Sequence, residues 1–450
     1  MKKFLKYILI LLILSVVYIV YSNYPRLNIV TGYASKSVAS GVFLANRSQE
    51  SVENGDNDIN QIRDAINEID HNKKSVTSTF LGLKSRKAIY REGLGAVLVD
   101  NDYDENKKVA TPNRNKTPKN LPFPYGDLPQ KDTVFANINY EIVRTAVDKA
   151  FDRPDENIKK TRTVIVVYKD QIIAEKYADG FDKNTPILGW SMTKSLTSTM
   201  YGILQKQGKI DINSVTNIPE WQNDERKNIT YNNLLQMNSG LEWVEDYNAI
   251  SDVTKMLFME SDMSKVQIDK PLVGKPNESW NYSSGTSNLL SGYLLKQFFS
   301  DQQEYLDFWY SELFDKIGMH SALVEVDMEG NFVGSSYGWA NTRDWAKFGL
   351  LYLHEGNWNG EQILDSSYIK YAATPTNTSN GRYGAQFWLN TGGHYPDVPK
   401  DLYSCNGFQG QFVFIIPSKE MIIVRTGLTE EDEFDFNGFL RDILSSIERS

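Results

Sequence analysis

Two hairpin-like segments at the ends of one long region constrain this chain most. Residues 161–180, TRTVIVVYKDQIIAEKYADG, read as two β-branched runs around the polar break KDQ. Far downstream, QFVFIIP and MIIVRTG flank SKE as a second hairpin, and NGFLRDILSSIERS closes the chain as a helix. Between them lie mainly helical and loop patterns. The economical solution is an α+β fold, an antiparallel β-sheet built from both ends and flanked by helices, with an α-helical subdomain beside it. It occupies residues 132–450.

What precedes that region is of a different kind. Lys2, Lys3 and Lys6 lead into YILILLILSVVYIVY, residues 7–21, after which Asn23 and Pro25 break the pattern. A basic flank before an apolar helix keeps that end cytoplasmic and sends the rest of the chain outward. No small-x-small cleavage site follows closely, so residues 1–25 read as a signal anchor in preference to a cleaved signal peptide. The membrane is thus an expected partner, and the domain beyond it is expected to be extracytoplasmic, periplasmic or extracellular. Residues 26–100 read as a small accessory region with short β-like runs, SGVFLA and LGAVLVD. Residues 101–131 carry Pro112, Pro118, Pro122, Pro124 and Pro129, which disfavour helix and central strand, and read as a linker or wrapping segment.

Composition excludes several classes. Lys and Arg number 48 against 57 Asp and Glu, for a net charge of −9, so nucleic acid is not an expected partner. The one cysteine, Cys405, allows no intramolecular disulfide and no cysteine-based zinc site. His71, His320, His354 and His394 are scattered, there is no HExxH, and no Walker or dinucleotide loop appears. No metal and no cofactor are expected.

The stretch GWSMTKSLTSTM, residues 189–200, places Ser191 and Lys194 three apart at the start of an apolar-periodic run, Met192, Leu196, Met200, Ile203 and Leu204, that ends at Gly208. On a helix, i and i+3 share a face, so the amine reaches the hydroxyl and the two can act as base and nucleophile. An isolated lysine titrates near about 10.4, so that role demands a downward shift of roughly three units. A helix start also offers N–H groups and a positive dipole end to an oxyanion. The spacing alone is a weak signal, because Ser367 and Lys370 in SSYIK match it too.

Its company is more specific. NLLQMNSGLEW, then KPNESWNYSSGTSNLLSGYLL with Tyr282, then NGFQGQFVFIIP follow in order. Together with the SxxK segment, these resemble the serine hydrolases of the class C β-lactamase and penicillin-binding-protein family, in the branch of esterases and 6-aminohexanoate-dimer hydrolases. The resemblance spans residues 140–445. It implies a β-lactamase/transpeptidase-like fold with the site between sheet and helical subdomain, and cleavage of an ester or amide through an acyl-enzyme. By position, Ser191 would be the nucleophile, Lys194 its proton partner and Tyr282 the second member of the relay. The backbone N–H groups of Ser191 and Gln411 would form the oxyanion hole. Trp190, Ser284, Asn288, Phe408, Gln409 and Gly410 would contact substrate.

Two departures bear on specificity. Ser284 stands where lactamases of this family carry Asn, the nearest Asn being Asn288, and the segment matched to the third motif, Phe408, Gln409, Gly410, lacks the usual cation. The second departure sustains an alternative, a penicillin-binding-like protein that binds cell-wall peptide or a partner with little turnover. A rival nucleophile, Ser336 in GSSYG, matches GxSxG but lacks the strand before and helix after that an α/β-hydrolase elbow needs, and reads as a loop lining the site.

Overall fold

A computed structural model describes residues 2–105, 107–154, 158–430 and 433–448. The chain divides into two compact units. The first comprises Met1–Arg91, Ala96–Glu105 and Val244–Ser261, and the second the remainder.

In the first unit a single helix, Lys2–Phe43, runs straight through Pro25. The expected break at Asn23 and Pro25 is therefore corrected, as is the reading of SGVFLA as a β-run, since residues 40–43 are helical. The reason is packing. Val30, Ala34 and Val38 recur every fourth residue and are buried. An interior proline costs about 3 kcal/mol, which two buried valines at about 1.5–3 kcal/mol each offset. Beside the helix lies a four-stranded sheet in chain order, Ile66–Asp70, Ser75–Phe80, Lys84–Arg91 and Gly95–Val99. LGAVLVD is the last of these. The helix Asp252–Met259 joins this unit rather than the larger one, because Val253, Met256, Leu257 and Phe258 are buried. The Phe258 ring meets Tyr33 at 5.5 Å, and its carbonyl accepts from Arg86 at 2.8 Å. Residues 4–15 are exposed, and this is the one helix among the described residues long and apolar enough to cross a membrane.

The second unit holds a six-stranded antiparallel sheet in the order Trp388–Leu389, Tyr403–Gly407, Gln411–Ile416, Met421–Gly427, Thr161–Tyr168, Gln171–Tyr177. The two terminal hairpins meet where Ile423 pairs with Val166. In the first hairpin, Lys169 (φ +46) and Asp170 (φ +63) form the two-residue left-handed turn that suits the strand twist. Alternate side chains sort to opposite faces. Val164 and Val166 pack with the helices Tyr140–Lys149 and Phe436–Leu444, whereas Ile165 and Val167 face the helices Thr193–Lys206 and Thr342–Leu353. The closing helix stops at Leu444, and Arg449 and Ser450 lie outside the described residues. The helix Thr193–Lys206 is buried from Thr193 to Leu204 on every side, not only along its apolar stripe. Residues 107–130 form neither helix nor strand, and are fastened to this unit where Asn113 meets Asp307 at 2.9 Å and Arg114 donates to Asp315 at 2.8 Å.

Candidate active site

The turn carrying Ser191 is locked before the helix begins. Trp190 has a left-handed backbone, φ +47, which a bulky residue adopts only when its surroundings impose it. Those surroundings come from Gly338–Ala340, a short strand paired with Ile187–Leu188. The Gly189 N–H donates to the Gly338 carbonyl at 2.8 Å. Thr193 donates its hydroxyl to the Trp190 carbonyl at 2.6 Å and accepts from the Gly338 N–H at 2.8 Å. Ser191 thus sits half-buried in the turn immediately before Thr193, and the Lys194 N–H returns to its carbonyl at 3.0 Å.

Lys194 is 1% exposed. Its Nζ donates to Ser191 Oγ at 2.9 Å, to Ser284 Oγ at 3.0 Å and to the Ser335 carbonyl at 2.9 Å. Three neutral oxygens around one nitrogen suit both protonation states. As an ammonium the lysine donates three times. As an amine it donates twice and offers its lone pair to the Ser191 hydroxyl. The Ser284 hydroxyl therefore lies where it orients the amine, at the first residue of the helix Ser284–Leu289. The same Nζ stands 4.7 Å from the centre of the Tyr282 ring.

Tyr282 belongs to an aromatic wall assembled from segments far apart in the chain. Its ring lies 5.4 Å from Trp388 and 5.8 Å from Tyr383, and Trp280 stacks obliquely on Tyr383 at 5.3 Å. Trp280 and Tyr282 are separated from the other two by about a hundred positions of sequence, and no local pattern links them. A second aromatic group forms on the turn carrying Ser191, where Trp190 meets Phe408 edge-on at 5.7 Å and Tyr337 at 6.2 Å. Asn288 is 1% exposed, and its Oδ1 accepts from the Ser335 N–H at 3.0 Å. That contact ties it to the loop that presents a carbonyl to Lys194. Ser335 and Asn288 are thus a support for the lysine that the spacing of motifs did not reveal.

A Cβ on Gly407 would lie 2.0 Å from the Gly189 carbonyl, so Gly407 is the glycine that admits the turn carrying Ser191. A Cβ on Gly410 would instead meet the Thr429 carbonyl at 2.2 Å. The triplet against the turn is therefore Cys405, Asn406, Gly407, with Phe408 following it. Gln409 (φ +61) and Gly410 (φ +76) complete the hairpin loop, and the Gln409 N–H donates to the Glu430 carboxylate. Gln411 is buried, and its side chain donates to the Gly427 carbonyl at 2.6 Å while accepting from the Gly427 N–H at 3.1 Å. Cys405 is fully buried, which pushes its thiol up to about 12. Arg425 is also fully buried and is held by the carbonyls of Gly410 at 2.9 Å and Lys159 at 2.8 Å. It braces loops and is not turned to a ligand.

The competing motifs separate cleanly. Ser336 lies in a turn followed by the strand Gly338–Ala340, and its Oγ pairs with Ser335 Oγ at 2.8 Å. That is not an elbow. Ser367 and Lys370 lie exposed on the helix Ser366–Ala372.

The family model for Beta-lactamase matches residues 155–437. None of the curated proteins matches the sequence. Among solved structures, the fold is similar to a putative 6-aminohexanoate-dimer hydrolase from Bacillus anthracis, with TM-score 0.53 and 20% identity over 64% of this chain and 78% of that one. It is similar also to a family VIII carboxylesterase, with TM-score 0.55 and 15% identity over 68% and 96% of the two chains. For a class C beta-lactamase the TM-score is 0.52, with 14% identity over 70% and 99%.

Proposed function

The chain belongs to the Beta-lactamase family, and on that premise we propose that it is a serine hydrolase that cleaves an ester or amide through an acyl-enzyme on Ser191. The observation that carries this reading is the 2.9 Å contact between Lys194 Nζ and Ser191 Oγ in a buried, three-oxygen cradle beside Tyr282. Lys194, as the amine, takes the hydroxyl proton as Ser191 Oγ bonds to the substrate carbonyl carbon. The oxyanion is received by the Ser191 N–H and by a second N–H from the hairpin that starts at Gly407. The family resemblance implies Gln411 as that donor, whereas the close approach of Gly407 to Gly189 supports Phe408. Tyr282 and Lys194 return the proton to the leaving alcohol or amine, whose bond to the carbonyl carbon breaks. Water then repeats the sequence, adding to the acyl carbon and releasing Ser191. Trp190, Phe408 and the Tyr282 wall border the substrate.

The hydrolase portion lies within residues 132–450, less 244–261 of the first unit, and the N-terminal helix anchors it to a membrane with the catalytic part outside the cytoplasm, as the lysines before the apolar run direct. The test is covalent labelling by a fluorophosphonate probe followed by tryptic mapping. Label on Ser191, with turnover of a p-nitrophenyl ester, is the expected result. Label on another serine overturns the assignment. Acylation of Ser191 without measurable deacylation would leave the chain a binding protein of the same family.

A further inference from the structure

The first unit carries an apolar feature that its own packing does not use. The hairpin between Ser75–Phe80 and Lys84–Arg91 ends in Leu81, Gly82 and Leu83, with Leu81 72% and Leu83 65% exposed. Leu81 has φ +51 and Gly82 φ +66. Consecutive left-handed residues in a hairpin favour Asn, Asp or Gly, and a bulky leucine there is an outlier that local folding alone does not explain.

Its location supplies the explanation. Lys84, the residue after the tip, reaches Tyr24 on the long helix, with Nζ 3.5 Å from the hydroxyl and 5.4 Å from the ring centre. Tyr24 lies three residues beyond the apolar run 7–21, about 4.5 Å along the helix axis. At the other end of the unit Phe43 meets His71 at 5.9 Å. His71 belongs to the opposite hairpin tip, His71, Asn72, Lys73, Lys74, which is polar and exposed. The strand Ser75–Phe80 separates the two tips by about 20 Å. The leucine tip therefore stands at the level where the exposed apolar helix begins, and the basic tip at the end remote from it.

We propose that Leu81 and Leu83 insert into the headgroup and acyl boundary of the bilayer that holds the N-terminal helix, with Tyr24 and Lys84 at headgroup level. A helix alone leaves the first unit free to rotate and tilt. A second apolar contact at the same depth fixes its height and the face it turns to the membrane. This rests on the reading of the helix as a membrane anchor.

The full-length protein, reconstituted in phosphatidylcholine and phosphatidylglycerol vesicles containing nitroxide-labelled lipid, tests both. Cys405 is buried, so an environment-sensitive NBD label is directed to single cysteines introduced as Tyr18→Cys, Leu83→Cys or Lys73→Cys, all at exposed positions. The expected result is blue-shifted, quenched emission at positions 18 and 83 and water-like emission at 73. Quenching at 18 with position 83 behaving like 73 overturns the insertion and leaves the anchor standing. Water-like emission at 18 overturns the anchor and the insertion with it. Equal quenching at 73 and 83 overturns the orientation, since the whole unit would then lie on the lipid.

Discussion

At the scale of single residues, the centre of the site is the Lys194 nitrogen, which meets oxygens of Ser191, Ser284 and Ser335. Ser191→Ala should abolish fluorophosphonate labelling, and Lys194→Ala should slow it by about 10²–10⁴-fold, the range for a lost general base. Both are read from labelling rates on folded protein. Ser284→Ala removes one acceptor and leaves a buried N–H of Lys194 without it, a cost of about 1–3 kcal/mol. Acylation should then fall about tenfold while Ser191 remains the labelled residue, and an unchanged acylation rate would remove Ser284 from the site. Gly407 is as exacting for a steric reason. A methyl group there would lie 2.0 Å from the Gly189 carbonyl, and such overpacking against backbone costs about 1–3 kcal/mol or more. Gly407→Ala should lower the melting temperature and abolish labelling, whereas Gly274→Ala, whose Cβ would meet nothing closer than Ser279 Oγ at 3.7 Å, should do neither.

At the scale of elements, the hairpin loop 408–410 and the turn at Ser191 are held by hydrogen bonds from neighbouring segments. Arg425 carries the first. Removing it leaves the buried carbonyls of Gly410 and Thr429 without a donor, each costing about 1–3 kcal/mol. Arg425→Met should therefore lower stability in a urea titration and depress turnover without altering the ratio of ester to lactam hydrolysis. A selective change in that ratio would show that the guanidinium reads substrate charge. The GSSYG loop carries the second through its backbone, since Lys194 contacts the Ser335 carbonyl and Asn288 holds the Ser335 N–H. Ser336→Ala should keep both label and most of the hydrolytic rate.

For the whole molecule, one aromatic group forms on the Ser191 turn and another stands beside Lys194, while Cys405 is buried. A charge-assisted hydrogen bond to a substrate carboxylate contributes roughly 1.5–3 kcal/mol, and neither Cys405 nor Phe408 supplies it. Aromatic walls favour an acyl chain or ring instead. Short p-nitrophenyl esters should accordingly be hydrolysed with a higher kcat/KM than nitrocefin, and comparable turnover of the two would show that a carboxylate is held by another group. Placement outside the cytoplasm is checked by adding protease to intact cells or spheroplasts. The domain should be cut without opening the inner membrane, and protection would reverse the orientation.

What the sequence determined is what short-range periodicity encodes. β-branched runs marked Thr161–Tyr168 and Met421–Gly427 as strands, the KDQ break marked the turn, and three-residue spacing brought Lys194 within reach of Ser191, because each follows from the geometry of one local element. The tertiary structure decided everything that needs distant segments to meet. It buried Lys194 against a half-buried Ser191 and left the other SxxK pair, Ser367 and Lys370, on the surface, although the two are identical in spacing. It selected Gly407 over Gly410 by the approach of Gly189, gathered Tyr282, Tyr383 and Trp388 into one wall, drew residues 244–261 into the first unit, and carried the first helix through Pro25. In each case the deciding energy lies in burial and close contact between residues far apart in the chain, which no window of neighbouring letters contains.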